Sequence, residues 1–187
     1  MVGEDALAAA LRRNRGLILL TVHGILSDLL IRYYEVDRGL APTMVAVSEQ
    51  TSFVSGTGRR PEVLLPSQNF LVRLRTCLRN RKVVFAMVDR LPDHPRALHF
   101  ATRYGPVTIT DSMLRLAVRL DAPVLFTTCH LHGRRVVLRI EDVTAASRDL
   151  AGLTSALVAR IEADRGRVAA DDEEPPGQYS RASSMPL

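Results

Sequence analysis

Apolar and polar positions fall into alternating blocks along the chain. Three apolar runs, Gly16 to Val22, Lys82 to Val88 and Ala122 to Cys129, are short and rich in β-branched residues, the pattern of strands buried on both faces. Thr43 to Val47 reads as a further strand. Arg135 to Ile140 reads as a return strand after a turn at His132-Gly133, forming an antiparallel hairpin at the sheet edge. Between these runs the spacing changes to three and four. Glu4 to Arg13 is predicted helical on Ala6, Leu7, Ala10 and Leu11, and the segment after His23-Gly24 on Ile25, Leu26, Leu29, Leu30 and Tyr33. Ser67 to Arg79 follows on Phe70, Leu71, Leu74 and Leu78. The helix capped by Thr110 or Asp111 runs to Leu120 on Met113, Leu114, Ala117 and Leu120. Ala145 to Arg165 closes the series on Leu150, Leu153, Leu157 and Ile161.

Strands alternating with helices predict an α/β fold with a mixed, mainly parallel central sheet flanked by helices. Residues 1–168 form one domain on this reading, and 169–187, polar and proline-bearing, a disordered tail. Ser48 to Pro66, broken by Gly56, Gly58 and Pro61, reads as a mobile loop, and ALHFAT from Ala97 as a short extended piece.

Composition narrows the class. A chain of 187 residues that is 47% hydrophobic suffices for one sizeable core. The formal charge of +5 suits a phosphate-bearing partner or an anionic membrane surface. That basicity is almost wholly arginine, with Lys82 the sole lysine, and without Trp or a recognisable motif it points away from nucleic acid. Cys77 and Cys129 form no C-x-x-C pair, which fits a reduced interior. No run reaches the length of a membrane span, and the N-terminus lacks a signal-peptide core, so membrane contact is expected from one face.

Candidate chemistry gathers where strands end. His23 closes the first strand, and Asp28 follows in a His-x-x-x-x-Asp pattern. Two positions five apart on one helix point about 140° from each other, so His23 must precede the helix for its ring to turn toward Asp28. A histidine held by a carboxylate is a general base whose imidazolium is stabilised as it forms. The plain alternative is a strand-ending histidine beside an acid that favours a helix's first turn. The Lys82 to Val88 strand ends on Asp89-Arg90, which neighbouring parallel strands would bring to the edge that carries His23. Arg59 and Arg60, in the polar loop, are candidates to clamp a phosphate. His130 and His132, two apart on a strand, share a face and could hold a metal, but no third ligand lies near in sequence and no metal is expected.

Taken in order, the strand ending in His-x-x-x-x-Asp, the arginine-rich LVRLRTCLRN helix, the KVVFAMVDR strand, the F-x-x-x-x-G-P segment at Phe100 and the L-x-x-A-x-x-x-x-A-P-V step from Leu114 resemble the lipid A biosynthesis lauroyl/myristoyl acyltransferase family, within the His-x4-Asp/Glu glycerolipid acyltransferases. The resemblance covers roughly Arg15 to Glu141, as a shortened member. It implies a glycerolipid-acyltransferase-like fold and transfer of a fatty acyl group from an acyl carrier protein or coenzyme A thioester to a hydroxyl of a lipid or glycolipid. It further implies His23 as general base, Asp28 as its orienting acid, and Asp89 and Arg90 in the acceptor region. No cofactor beyond the thioester donor is implied, and the location is cytoplasmic, peripheral on the inner face of the cell membrane. The alternative is a catalytically inactive paralogue that binds lipid or acyl carrier protein.

Overall fold

A computed structural model describes residues 1–23, 26–46, 61–65, 67, 69–89, 97–132 and 134–173. Its centre is β1 (Leu17–Thr21), a strand buried along its whole length because parallel neighbours and helices cover both faces. To one side lies β4 (Val83–Met87), paired in parallel from Leu17 opposite Val83 to Thr21 opposite Met87. To the other lies β7 (Val124–His132), also parallel, with Leu20 opposite Phe126. β2 (Thr43–Val45) and β3 (Val63–Leu64) extend the sheet beyond β4. β8 (Arg135–Asp142) returns antiparallel along β7, giving the order β3-β2-β4-β1-β7-β8. The predicted α/β class, the mainly parallel mixed sheet and the edge hairpin are all present.

Alternation along the strands sends their side chains into two separate cores. Ile18, Leu20, Val84, Ala86, Val124 and Phe126 meet α3 (Phe70–Arg79), α4 (Ser112–Leu120) and α5 (Leu150–Glu173). Leu17, Leu19, Val83, Phe85 and Leu125 meet α1 (Glu4–Arg12) and α2 (Ser27–Arg32). α2 continues as a π-helical turn, Tyr33–Asp37, which buries Tyr33 and Tyr34 against the sheet with their rings edge to face at 5.1 Å. β5 (Ala97–Phe100) and β6 (Val107–Thr110) form a separate antiparallel ribbon. Glu162 of α5 accepts the Arg103 amide at 2.7 Å and the Arg165 guanidinium reaches the Pro106 carbonyl at 2.9 Å, which ties the ribbon down.

Several expectations shift. Leu30 and Tyr33 of the predicted α2 stripe are buried, but Ser27, Ile31 and Tyr34 join them and Leu29 points outward. Leu71 of α3 is likewise exposed, and Cys77 takes an inward place. β3 falls in the stretch predicted as loop, and β6 in the run before the Asp111 cap, two short strands that lie beside turn residues, Pro61 and Gly105-Pro106. α5 runs to Glu173, past the predicted domain boundary at 168. Among the described residues no helix is long and apolar enough to cross a membrane.

Gly16 fixes how closely β1 follows the last turn of α3. A Cβ there would stand 2.4 Å from the Leu78 carbonyl oxygen and 2.5 Å from its Cα, contacts that only a backbone shift relieves. Gly16→Ala should therefore lower stability by roughly 2–3 kcal/mol in chemical denaturation. Gly39→Ala, where φ is 62° but nothing lies within 4 Å, should cost about 1 kcal/mol. Equal losses at the two positions would contradict this packing.

Candidate functional site at the carboxyl edge of the sheet

The β1–β4 ladder closes with the Val88 amide donating to the Thr21 carbonyl at 3.0 Å. Two residues on, the backbone N–H of His23 turns to a side-chain acceptor. Counting two places from Thr21 opposite Met87 brings position 23 level with Asp89, and that carboxylate supplies the acceptor. The His23 amide donates to Asp89 Oδ2 at 2.9 Å and Oδ1 at 3.1 Å, while the imidazole Nδ1 lies 3.3 Å from Oδ1. One carboxylate thus pins both the main chain and the ring of His23. The two side chains remain 35% and 24% exposed, so the pair is open enough to meet a substrate. An ionised carboxylate only accepts, so Nδ1 is the donor to Asp89, and a neutral ring in that arrangement has its lone pair on Nε2.

Asp28 stands elsewhere. It lies in the first turn of α2, exposed, and neither hydrogen bond nor ion pair joins it to His23. The expected His23–Asp28 dyad is replaced by His23–Asp89, for a physical reason. The buried face of α2 falls on Ser27, Leu30 and Ile31, which turns position 28 outward, whereas the parallel register of β1 and β4 carries Asp89 to the histidine. The structure therefore joins His23 to Asp89, the acid of the neighbouring strand. Arg90, Arg59 and Arg60 lie outside the described residues.

Counting three places from Leu20 opposite Phe126 makes position 23 level with Cys129 on the other neighbouring strand. Cys129 is half-buried against the α2-side core, and burial pushes its thiol up to about 11. Kept protonated by burial, the Cys129 thiol is a poor nucleophile. Sequence reading passed over it because only the strand register places it beside His23. Deeper on the same face, the Tyr34 hydroxyl is buried beside Thr127, and its ionisation is pushed further up by burial. Thr127 in turn donates to the Leu20 carbonyl at 3.4 Å.

His130 and His132 part company. His130 lies against α5, its Nδ1 4.0 Å from Asp164, while His132 is exposed at the hairpin end. Among the described residues no group of three His, Cys, Asp or Glu side chains is placed to hold a metal ion.

Compared with known proteins, the chain matches no family model and no curated protein.

Two measurements follow. In ¹⁵N spectra, Asp89→Asn should shift the balance of His23 ring protonation between Nδ1 and Nε2, and Asp28→Asn should leave it in place. The reverse result would return Asp28 to the dyad. In a Cys77→Ser background, alkylation of Cys129 should climb about tenfold per pH unit from 8 toward 10 and level off near 11, because the folded thiol stays protonated through that range. A plateau near the ordinary thiol value would contradict the burial.

Proposed function

We propose that the protein is an acyltransferase of glycerolipid-acyltransferase-like fold. It moves a fatty acyl group from an acyl carrier protein or coenzyme A thioester to a hydroxyl of a lipid or glycolipid. The observation that supports this most is the imidazole at the carboxyl end of the central strand, held by a carboxylate from the neighbouring strand. Crevices at such strand ends are where open α/β sheets bind ligands. The order of motifs, a strand ending in histidine and a later strand ending in Asp-Arg, is that of the family the sequence resembles.

In this reading His23 Nε2 takes the proton of the acceptor hydroxyl as its oxygen attacks the thioester carbonyl carbon. The tetrahedral intermediate collapses with cleavage of the carbon–sulfur bond, the imidazolium returns the proton to the departing thiolate, and the acyl ester remains on the acceptor. No acyl-enzyme forms. Asp89 keeps the proton on Nδ1 and stabilises the imidazolium. Asp28, pointing outward from α2, takes no part in the proton transfer. Arg90, Arg59 and Arg60 are assigned to binding the anionic parts of donor or acceptor, with the protein at the inner face of the cell membrane.

A second reading is a binding module that keeps the fold and has lost turnover. The outward position of Asp28, the acid of the His-x-x-x-x-Asp pattern, favours it.

Incubation with a panel of acyl thioesters and membrane lipids, followed by mass spectrometry of the lipid fraction, separates the two. Acyl transfer should fall to a small residual rate in His23→Ala, fall by roughly 10²–10⁴ in Asp89→Asn, as for histidines deprived of their orienting carboxylate, and change by less than about threefold in Asp28→Asn. Donor binding without product across the panel would favour the module. A normal rate in His23→Ala would remove the mechanism.

A further inference from the structure

α3 and α4 pack side by side and together present a surface of unusual composition. Across FLVRLRTCLR and SMLRLAVRL there are five arginines and no acid. Arg73, Arg75 and Arg79 of α3 and Arg115 and Arg119 of α4 are all exposed. Between the helices runs an open groove of about 200 Å³ bordered by Leu71, Val72 and Leu116 on its apolar side and by Arg75, Arg115 and Arg119 on its charged side. Leu71 is 48% exposed and Val72 63%, so these aliphatic side chains stand out from the first turn of α3 and do not fold back into the core.

The charges are mostly uncompensated. Arg115 is held by the buried Asp111, at 2.6 and 2.7 Å. Glu62 faces Arg73 but is bonded to Lys82 at 2.7 Å. Arg75, Arg79 and Arg119 have no ion pair within the described residues. No aromatic anchor is exposed on either helix, and the Thr76 hydroxyl is spent on the Val72 carbonyl. Long basic side chains around protruding aliphatics, with no fixed pattern of polar partners, match a surface that is negative and greasy but has no register, namely an anionic bilayer.

Topology adds a direction. α3 starts after β3 and runs back to the beginning of β4, so its first turn, with Leu71 and Val72, lies at the carboxyl edge of the sheet, where His23 and Asp89 are.

We propose that the α3–α4 face is a docking surface for an anionic phospholipid bilayer, with Leu71 and Val72 entering the headgroup boundary and Arg75, Arg79 and Arg119 lying against lipid phosphates. The proposal rests on the lipid-acceptor reading for its purpose, but vesicle binding is measured without donor or turnover, so either can fail alone.

The test is co-sedimentation of the full chain with vesicles of phosphatidylcholine alone or with phosphatidylglycerol added. Binding should appear with phosphatidylglycerol, fall steeply with salt, and weaken about thirtyfold in Arg75→Gln/Arg119→Gln. Val72→Asp should weaken it several-fold at unchanged vesicle charge. Arg12→Gln/Arg148→Gln, which removes the same charge from other exposed positions, should weaken it less than about threefold. Circular dichroism melts confirm that each variant is folded. An equal loss in both double variants would mean attraction to net charge alone and would overturn the proposal. So would failure to bind phosphatidylglycerol vesicles, or retention on a polyglutamate resin without vesicle binding, which would reassign the face to an acidic protein.

Discussion

Where the β1–β4 ladder ends, the Asp89 carboxylate accepts from the backbone amide and faces the ring Nδ1 of His23. An unmade hydrogen bond at a partly buried strand end costs on the order of 1 kcal/mol or more, so the carboxylate stabilises the strand ends as well as the imidazole. It can reach only because β1 and β4 are direct parallel neighbours in unshifted register, with Thr21 opposite Met87. That register is strongly specified: a slip of β1 by one residue against β4 would send Leu19 toward the α3–α5 face and Leu20 toward the α1–α2 face, out of the two cores they now fill. The geometry of the site is therefore a consequence of how the sheet is packed.

Much of this was legible in the sequence. Continuous apolar runs announced the strands buried on both faces, and the change to three-and-four spacing announced the helices. The hairpin was marked by His132-Gly133. Placing the ends of the first and fourth strands at one edge followed from the handedness and parallel pairing of α/β units. What escaped were two short strands beside turn residues, β3 and β6, and the exact face of two helices. In α2 Leu29, Leu30 and Ile31 are all apolar, so hydrophobicity alone did not choose between neighbouring stripes. Packing buries Leu30 and Tyr33 of the predicted stripe and takes Ile31 in place of Leu29.

That same ambiguity governed the candidate site. His23 was visible as the polar residue that stops a buried strand. Its partner was not, because Asp28 is near in sequence and Asp89 is near only through the sheet, 66 residues away. Asp89 was seen as a strand-end charge, and the link between the two readings, neighbouring parallel strands, was available as a condition but not as a contact. Cys129 was legible only as a thiol without a partner. The +5 charge pointed to an anionic partner without a place, whereas the structure sets five arginines and no acid on the adjacent helices α3 and α4.

The central claim is that Asp89 acts through the imidazole of His23 and has no separate role in the reaction. The most direct test compares residual acyl transfer, read by mass spectrometry, in His23→Ala and in the His23→Ala/Asp89→Asn double variant. If the two residues form one unit, the second substitution changes the residual rate by no more than about twofold, the non-additivity expected of groups that work together. A further loss as large as Asp89→Asn causes in the intact protein would show that the carboxylate acts independently of the histidine.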